Sequence, residues 1–394
     1  MDILISGASI AGPALAYWLH RYGCEVTVVE KASSVRSGGY PIDIRGTALD
    51  VLERMGVRPA VEAAHIHTQR LTFVGADGRR VGSVRSDDLT GGQAGRDLEV
   101  PRGALTAVLY DVIRDDVEFL FGDSIAAMDE HAHGVAVTFD SGARREFDLV
   151  IGADGLHSNT RRLAFGPEEP VTRYLGYCFA GFSLPNELGL AHEGVTCSAP
   201  GRMAALYAPG CTDTLHGFLT VARPQPPLAE LRDTAAQQDL MTSAFAGDGW
   251  EVPRLLTAMR TADDVFFDVV SQVRLARWSR GRVVLAGDAA HAPSFFSGQG
   301  TSIALVGAYV LAGELATRPY PEAFAAYEDT VRPFVHANQA LAEGGGSTLA
   351  PTTAAGLWLR NQMLHLAPLM ARTGLLGRAT RKASTAMALP SYAA

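Results

Sequence analysis

Apolar and polar positions open the chain in the order strand, helix, strand. Residues 2–6 are a short apolar run, 13–22 carry helical spacing, and 25–30 are β-branched. Together they predict one βαβ unit. Leu49, Val51, Leu52 and Met55 mark a second helix over 46–55. The period then drops to two. Runs at 71–74 and 81–84 around Ala76-Asp77-Gly78 predict a hairpin. After a helix over 102–114, runs at 117–121, 126–130, 135–140 and 144–151 predict a meander that returns to the first sheet at 149–152. Strands follow at 177–182, 203–207 and 215–221, then two helical stretches and a strand at 266–271. A fully apolar strand at 282–286 runs into a helix over 300–316, and an amphipathic helix covers 322–341. Gly344-Gly345-Gly346 predicts a helix stop and a hinge, and residues 357–370 again have amphipathic spacing.

The class this implies is α/β. A doubly wound, Rossmann-type domain over 1–70, 100–170 and 275–345 is threaded by a β-rich domain over 71–99 and 171–274, with a C-terminal helical segment over 346–394. A chain of 394 residues, 47% hydrophobic and 19% charged, can fill two such cores and is not a disordered composition. A net charge of -8 gives no electrostatic reason to bind nucleic acid. Residues 3–19 are apolar, but Asp2 precedes them and Gly7, Gly12 and Pro13 interrupt them, so no targeting segment is expected. No apolar run is long enough to predict a membrane span. Cys24, Cys178, Cys197 and Cys211 lack redox or metal spacing and fit thiols in a reducing cytoplasm.

Three motifs carry chemistry. Gly7-Ala-Ser9-Ile10-Ala11-Gly12 sits between the first strand and its helix, and Glu30 ends the second strand. A glycine turn at a helix N-terminus suits a pyrophosphate, and a carboxylate at that strand end suits ribose hydroxyls. Ser9 replaces a glycine but is small and carries a hydroxyl. This unit does not separate FAD from NAD, and the same residues would serve as a plain structural turn. The second motif is Asp154-Gly155, after the apolar run 148–153 and before a helix starting near Ser158. Its bland alternative is an ordinary strand-to-helix turn. The third runs Gly287-Asp288-Ala-Ala-His291-Ala-Pro293-Ser-Phe295-Phe-Ser-Gly298-Gln-Gly300-Thr301-Ser302. Asp288, at the end of a buried strand, can accept from a ribityl hydroxyl, and Gly298 and Gly300 let backbone lie close to a flat ring.

With these motifs in place, nearly the whole chain from Asp2 to about Phe334 resembles the single-component, class A flavoprotein monooxygenases, the para-hydroxybenzoate hydroxylase-like family. Within it the chain is most similar to tetracycline-modifying oxygenases and actinobacterial natural-product hydroxylases. The resemblance implies that Gly7, Ser9, Ile10, Ala11, Gly12, Glu30 and Lys31 hold the ADP half of FAD. It places Arg102 against the flavin side of the cofactor, and Asp154 and Gly155 at the pyrophosphate or nicotinamide. Gly287 and Asp288 would meet the ribityl chain, and Gly298, Gly300, Thr301 and Ser302 would border the isoalloxazine. Residues 38–45 resemble a loop near the flavin, in which Arg45 meets substrate or nicotinamide, or forms a surface salt bridge.

Two departures stand out. Lys31 stands where the family often has arginine. Phe295 stands where it usually has proline beside the reactive edge of the flavin, two residues after Pro293, which puts the shape of the oxygen pocket in question. The implied reaction is reduction of FAD by NADPH or NADH, addition of O2 at the flavin C4a carbon, and transfer of one oxygen atom from the hydroperoxide to a small aromatic or polycyclic substrate. No metal and no nucleophilic triad are needed, and neither has a motif here. His291, His131 and His133 read as structural or solvated side chains. Tyr207, His216 and Phe218 are candidate substrate residues on strands of the β-rich domain. The alternatives are an FAD-dependent dehydrogenase or oxidase without oxygen transfer, and a non-catalytic FAD- or ligand-binding protein. A flavin-dependent halogenase is disfavoured, because Trp18, Trp250, Trp278 and Trp358 form no Trp-x-Trp pair. A monomer or homodimer without nucleic-acid or membrane partners is expected.

Overall fold

A computed structural model describes residues 1–35, 38–90, 97–373 and 377–392. Residues 36–37, 91–96, 374–376 and 393–394, counted in the expected segments, lie outside the described residues. The first sheet has six strands in the order Ser279–Arg280, Val283–Leu285, Leu149–Gly152, Asp2–Ser6, Glu25–Glu30, Glu118–Phe121. All pairs are parallel except the outermost, Ser279–Arg280 with Val283–Leu285. Ile3, Leu4, Ile5, Leu149, Val150, Ile151, Val284 and Leu285 are fully buried. Covering on both faces is why these strands read as unbroken apolar runs rather than alternating ones. Helices Ala11–Arg21 and Gly300–Thr317 pack on each other. The second is long and apolar enough to cross a membrane, but most of it is buried inside the fold.

The strand Glu118–Phe121 corrects the expected meander. It pairs in parallel with Glu25–Glu30 at the edge of the first sheet. The preceding helix, Arg102–Asp111, supplies the crossover, and its Tyr110 packs edge-on to Phe119 at 4.9 Å. Only Ile125–Glu130, Val135–Phe139 and Arg144–Phe147 form the three-stranded meander. Residues 41–44, expected as loop, form a strand that pairs antiparallel with Leu98–Pro101.

The second sheet has seven strands in the order Phe266–Val273, Thr172–Pro185, Thr214–Ala222, Arg202–Tyr207, Glu193–Ala199, Arg70–Val74, Arg80–Arg85. The predicted hairpin therefore joins this sheet by a parallel pairing with Glu193–Ala199, a strand the polarity pattern did not announce. One face carries Leu215, Leu219, Leu184 and Val269 against helices Thr234–Ala244 and Val252–Thr261. The other carries Tyr177, Phe179 and Met203 against Phe295, Phe296 and Ala350.

The helix expected to stop at Gly344 runs from Tyr320 to Leu349. Three glycines weaken a helix by about 1 kcal/mol each. Contacts at its far end offset this: Ser198 donates to the Leu349 carbonyl at 3.2 Å and Tyr177 to that of Ala350 at 3.1 Å. Two further helices, Ala354–Arg372 and Arg378–Ser384, complete the helical tail.

Candidate active site

The Gly7–Gly12 turn is held by its own backbone. Gly7 has φ +107°, and a Cβ there would lie 2.5 Å from the Ala153 carbonyl oxygen. A Cβ on Gly12 would overlap the Gly7 carbonyl oxygen. Both positions need glycine for close approach. Glu30 fixes the loop from the side: its two carboxylate oxygens accept from the Ala8 and Ala32 amides, each at 2.9 Å. Each oxygen keeps a lone pair for a ribose hydroxyl. Lys31 is exposed beyond it. The helix that starts at Ala11 has no side-chain cap and no acidic residue in its first turn, so its amides are left for an anion. Arg102 donates to the Ser9 hydroxyl at 3.0 Å, which leaves the Ser9 proton free to point at that anion.

Asp154 turns its carboxylate inward. It accepts from the Thr160 amide and hydroxyl, both at 2.9 Å, and from Ser158, which in turn caps helix Asn159–Phe165. The aspartate thus builds the turn, and Gly155 at φ +85° borders open space. Arg161, fully buried, links this motif to the next by donating to the Leu156 carbonyl at 2.6 Å and the Ala289 carbonyl at 2.9 Å.

Asp288 follows Gly287, whose φ of +58° lets it approach Ala11. Its side chain opens to the cleft, yet the surrounding mass of protein pushes its carboxyl up, with Arg102 pulling the other way. Asp288 Oδ1 lies 3.7 Å from where a Cβ of Gly300 would sit. Helix Gly300–Thr317 also starts with no side-chain cap and no acid in its first turn. Thr301 and Ser302 are buried in that turn, and Ser302 Oγ accepts from the Arg45 amide at 3.1 Å. Two uncapped helix starts, a glycine turn with a ribose-side carboxylate, and a cleft aspartate fit a dinucleotide with a flat ring.

Above the Gly298–Ser302 turn stands an aromatic wall. Phe295 stacks on Phe179 at 4.3 Å and 17°, and meets Tyr40 edge-on at 5.7 Å. Phe218 lies 6.1 Å from Tyr40 and 6.4 Å from Phe295, with Phe266 6.0 Å from Tyr40. Phe295 opens the short 3₁₀ turn Phe295–Ser297, after Ser294 at φ +90°. Pro293 is buried, and its carbonyl accepts from Gln272 at 3.2 Å. His216 shares a strand face with Phe218, and burial holds its imidazole pKa below the usual range.

Two expectations change. Tyr207 is not free for substrate: its hydroxyl donates to Glu99 and meets the Thr68 hydroxyl. Arg45 makes no surface bridge, being 8% exposed and paired with Asp43 at 2.6 Å, with Nε lacking a partner. Glu99 sits opposite Asp43 across the two-stranded pairing, and burial together with Asp43 pushes its carboxyl up to about 7.

Comparison with known proteins agrees with this geometry. Residues 1–179 and 254–340 match the family described as FAD binding domain. An uncharacterized protein of Mycobacterium tuberculosis is 44% identical over 86% of this chain and 91% of its own. A flavin-dependent monooxygenase from an unknown prokaryotic organism is 38% identical over 99% of this chain and 98% of its own. The crystal structure of tetracycline destructase Tet(55) superposes with a TM-score of 0.85 at 37% identity, covering 99% of this chain and 98% of that one. The chain belongs to the FAD-dependent monooxygenases.

Parts of this monooxygenase's site had no sequence signal. Tyr40 lies in the 38–45 segment expected near the flavin, but Phe179 and Phe266 had no assigned role, and the three rings meet only across the cleft. His157 carried no assigned role. It bridges Glu168 at 2.9 Å and Asp268 at 3.0 Å, tying the Asp154-Gly155 turn to the second sheet. Those two carboxylates raise its pKa to about 10. Alternation within each strand was legible, but which strands face one another was not.

Proposed function

We propose that this monooxygenase uses NADPH or NADH to reduce bound FAD and inserts one atom of O2 into a small aromatic or polycyclic molecule. The observation that carries this is the aromatic wall of Tyr40, Phe179, Phe218 and Phe295 facing the uncapped start of helix Gly300–Thr317. Bound flavin supplies the electrons and the activation of oxygen. The chain's own residues do the rest. Gly7–Gly12, Glu30 and Asp288 hold the cofactor. Amides at Gly300–Ser302, left without a side-chain cap, would favour negative charge developing on the bound cofactor. Phe295 and Phe179 orient a flat apolar substrate and keep water out. Residues 71–90, 97–99 and 171–274 supply the substrate side of the cleft. With Cys24, Cys178 and Cys197 buried as free thiols, a reducing cytoplasm suits the protein.

The similarity to a tetracycline destructase makes tetracyclines, with polycyclic phenols, the first compounds to try. FAD-loaded protein is mixed with NADPH or NADH and each compound under ¹⁸O2. Nicotinamide oxidation stimulated by a compound, with one labelled oxygen in the product, is the expected result. A product that has lost two hydrogens and gained no oxygen would replace this reading with a dehydrogenase or oxidase. Nicotinamide oxidation that no compound stimulates would remove the substrate class.

A further inference from the structure

Among the described residues, one helix carries most of the large exposed apolar side chains. On Ala354–Arg372, Trp358, Leu359, Met363, Leu366 and Leu369 are 63, 56, 49, 57 and 62% exposed. The other large exposed apolar side chains among the described residues, Met1, Val112, Leu188 and Leu228, are scattered over distant elements. At about 3.6 residues per turn, the five fall within an arc of roughly 140°. The opposite face is already used. Leu364 and Ala367 pack with Phe73 and Val84 of the hairpin, and Arg360 lies over the Phe73 ring at 4.8 Å. The arc is therefore what the fold leaves unpartnered, and a contiguous apolar patch on a globular surface marks an interaction site.

Charge indicates the partner. After Glu343 the sequence contains no Asp or Glu, yet it contains Arg360, Arg372, Arg378, Arg381 and Lys382. This contrasts with a chain of 42 acidic residues and net charge -8. Arg378 and Lys382 are exposed on helix Arg378–Ser384, which packs against Ser86–Thr90. That segment directly follows the strand Arg80–Arg85, on which Ala354–Arg372 rests. The strand Arg80–Arg85 and the segment Ser86–Thr90, whose Asp87 lies 3.8 Å from Arg85, thus link the two helices. A two-fold pairing of two copies through this arc would set one acid-free, cationic segment against another. An anionic bilayer satisfies both features. Trp and Leu enter the headgroup boundary, and each nearby Lys or Arg contributes about 1 kcal/mol.

We propose that helix Ala354–Arg372 docks this monooxygenase peripherally on a bilayer containing anionic phospholipid. This docking departs from the expectation of no membrane partner at the surface only, with no span involved. Docking concentrates the enzyme where small apolar compounds partition.

The test uses full-length, FAD-loaded protein and vesicles of phosphatidylcholine with or without phosphatidylglycerol. Flotation should recover the protein with the anionic vesicles, little with phosphatidylcholine alone, and less as salt rises. Tryptophan emission should shift to the blue on binding, and Trp358→Phe should remove most of that shift, since Trp18 and Trp278 are buried and the half-buried Trp250 packs against the core of the second sheet. The double variant Leu359→Asn, Leu366→Asn should lose at least about tenfold in partitioning, with unchanged FAD content and melting temperature. No partition into anionic vesicles, or equal partition into both kinds, would overturn the proposal. So would a concentration-dependent dimer that the double variant dissolves, which would assign the arc to self-association.

Discussion

Replacing Glu99 with glutamine should stabilise the protein above neutral pH and leave it unchanged in acid. Glu99 accepts from Tyr207 and Thr68 and faces Asp43, whose own partner is the buried Arg45. His65 touches the Glu99 backbone from outside. Burial and Asp43 lift its carboxyl from the ordinary 4.5 to about 7. Between these values the folded protein keeps the proton and the unfolded chain has lost it. Folded-state stability then falls with rising pH by about 1.4 kcal/mol per pH unit, and levels off above the folded value. The full window corresponds to about 3 kcal/mol. Partial exposure of Glu99 to solvent reduces it to about 2 kcal/mol. Glutamine keeps the acceptor oxygen and removes the charge. Urea unfolding of both FAD-loaded proteins from pH 4.5 to 8.5 measures the difference. The variant's advantage should be absent near pH 4.5, grow through pH 7 and then stay level. A gap independent of pH would show that Glu99 is ionised throughout, and the electrostatic account of this cluster would fail.

Four further outcomes follow from the site. Asp288→Ala should weaken FAD binding about 10- to 100-fold, the loss of one charge-assisted contact, read by titrating apoprotein with FAD and following flavin fluorescence. Phe295→Pro removes the ring stacked on Phe179, so the ratio of oxygenated product to hydrogen peroxide should fall; an unchanged ratio would make the ring neutral. Arg161→Ala leaves the Leu156 and Ala289 carbonyls without their donor and should destabilise by about 3 kcal/mol in chemical denaturation. His157 stays charged until about pH 10, so its bridge to Glu168 and Asp268 is fully present below about pH 6.5 and is lost as pH rises through 10. Discounted for its exposure, His157→Ala should cost about 1 kcal/mol at pH 6 and little at pH 10.5, seen in thermal melts.

The sequence by itself determined whatever rests on local backbone chemistry. A glycine turn between an apolar strand and a helix, with an acid ending the next strand, is legible because each piece is set by neighbours a few residues away. The same holds for Gly287-Asp288, where a positive φ precedes the cleft carboxylate. The tertiary structure decided the rest, for three physical reasons. Sheet membership depends on long-range pairing, so Glu118–Phe121 joined the first sheet and Glu193–Ala199 emerged only beside its partners. Tertiary contacts outweigh local propensity, so the helix crosses Gly344–346 because Leu349 and Ala350 are anchored on the second sheet. The fate of a polar side chain depends on what it meets: Tyr207 and Arg45 had the chemistry of substrate contacts, and Glu99 and Asp43, brought together by strand pairing, turned them inward.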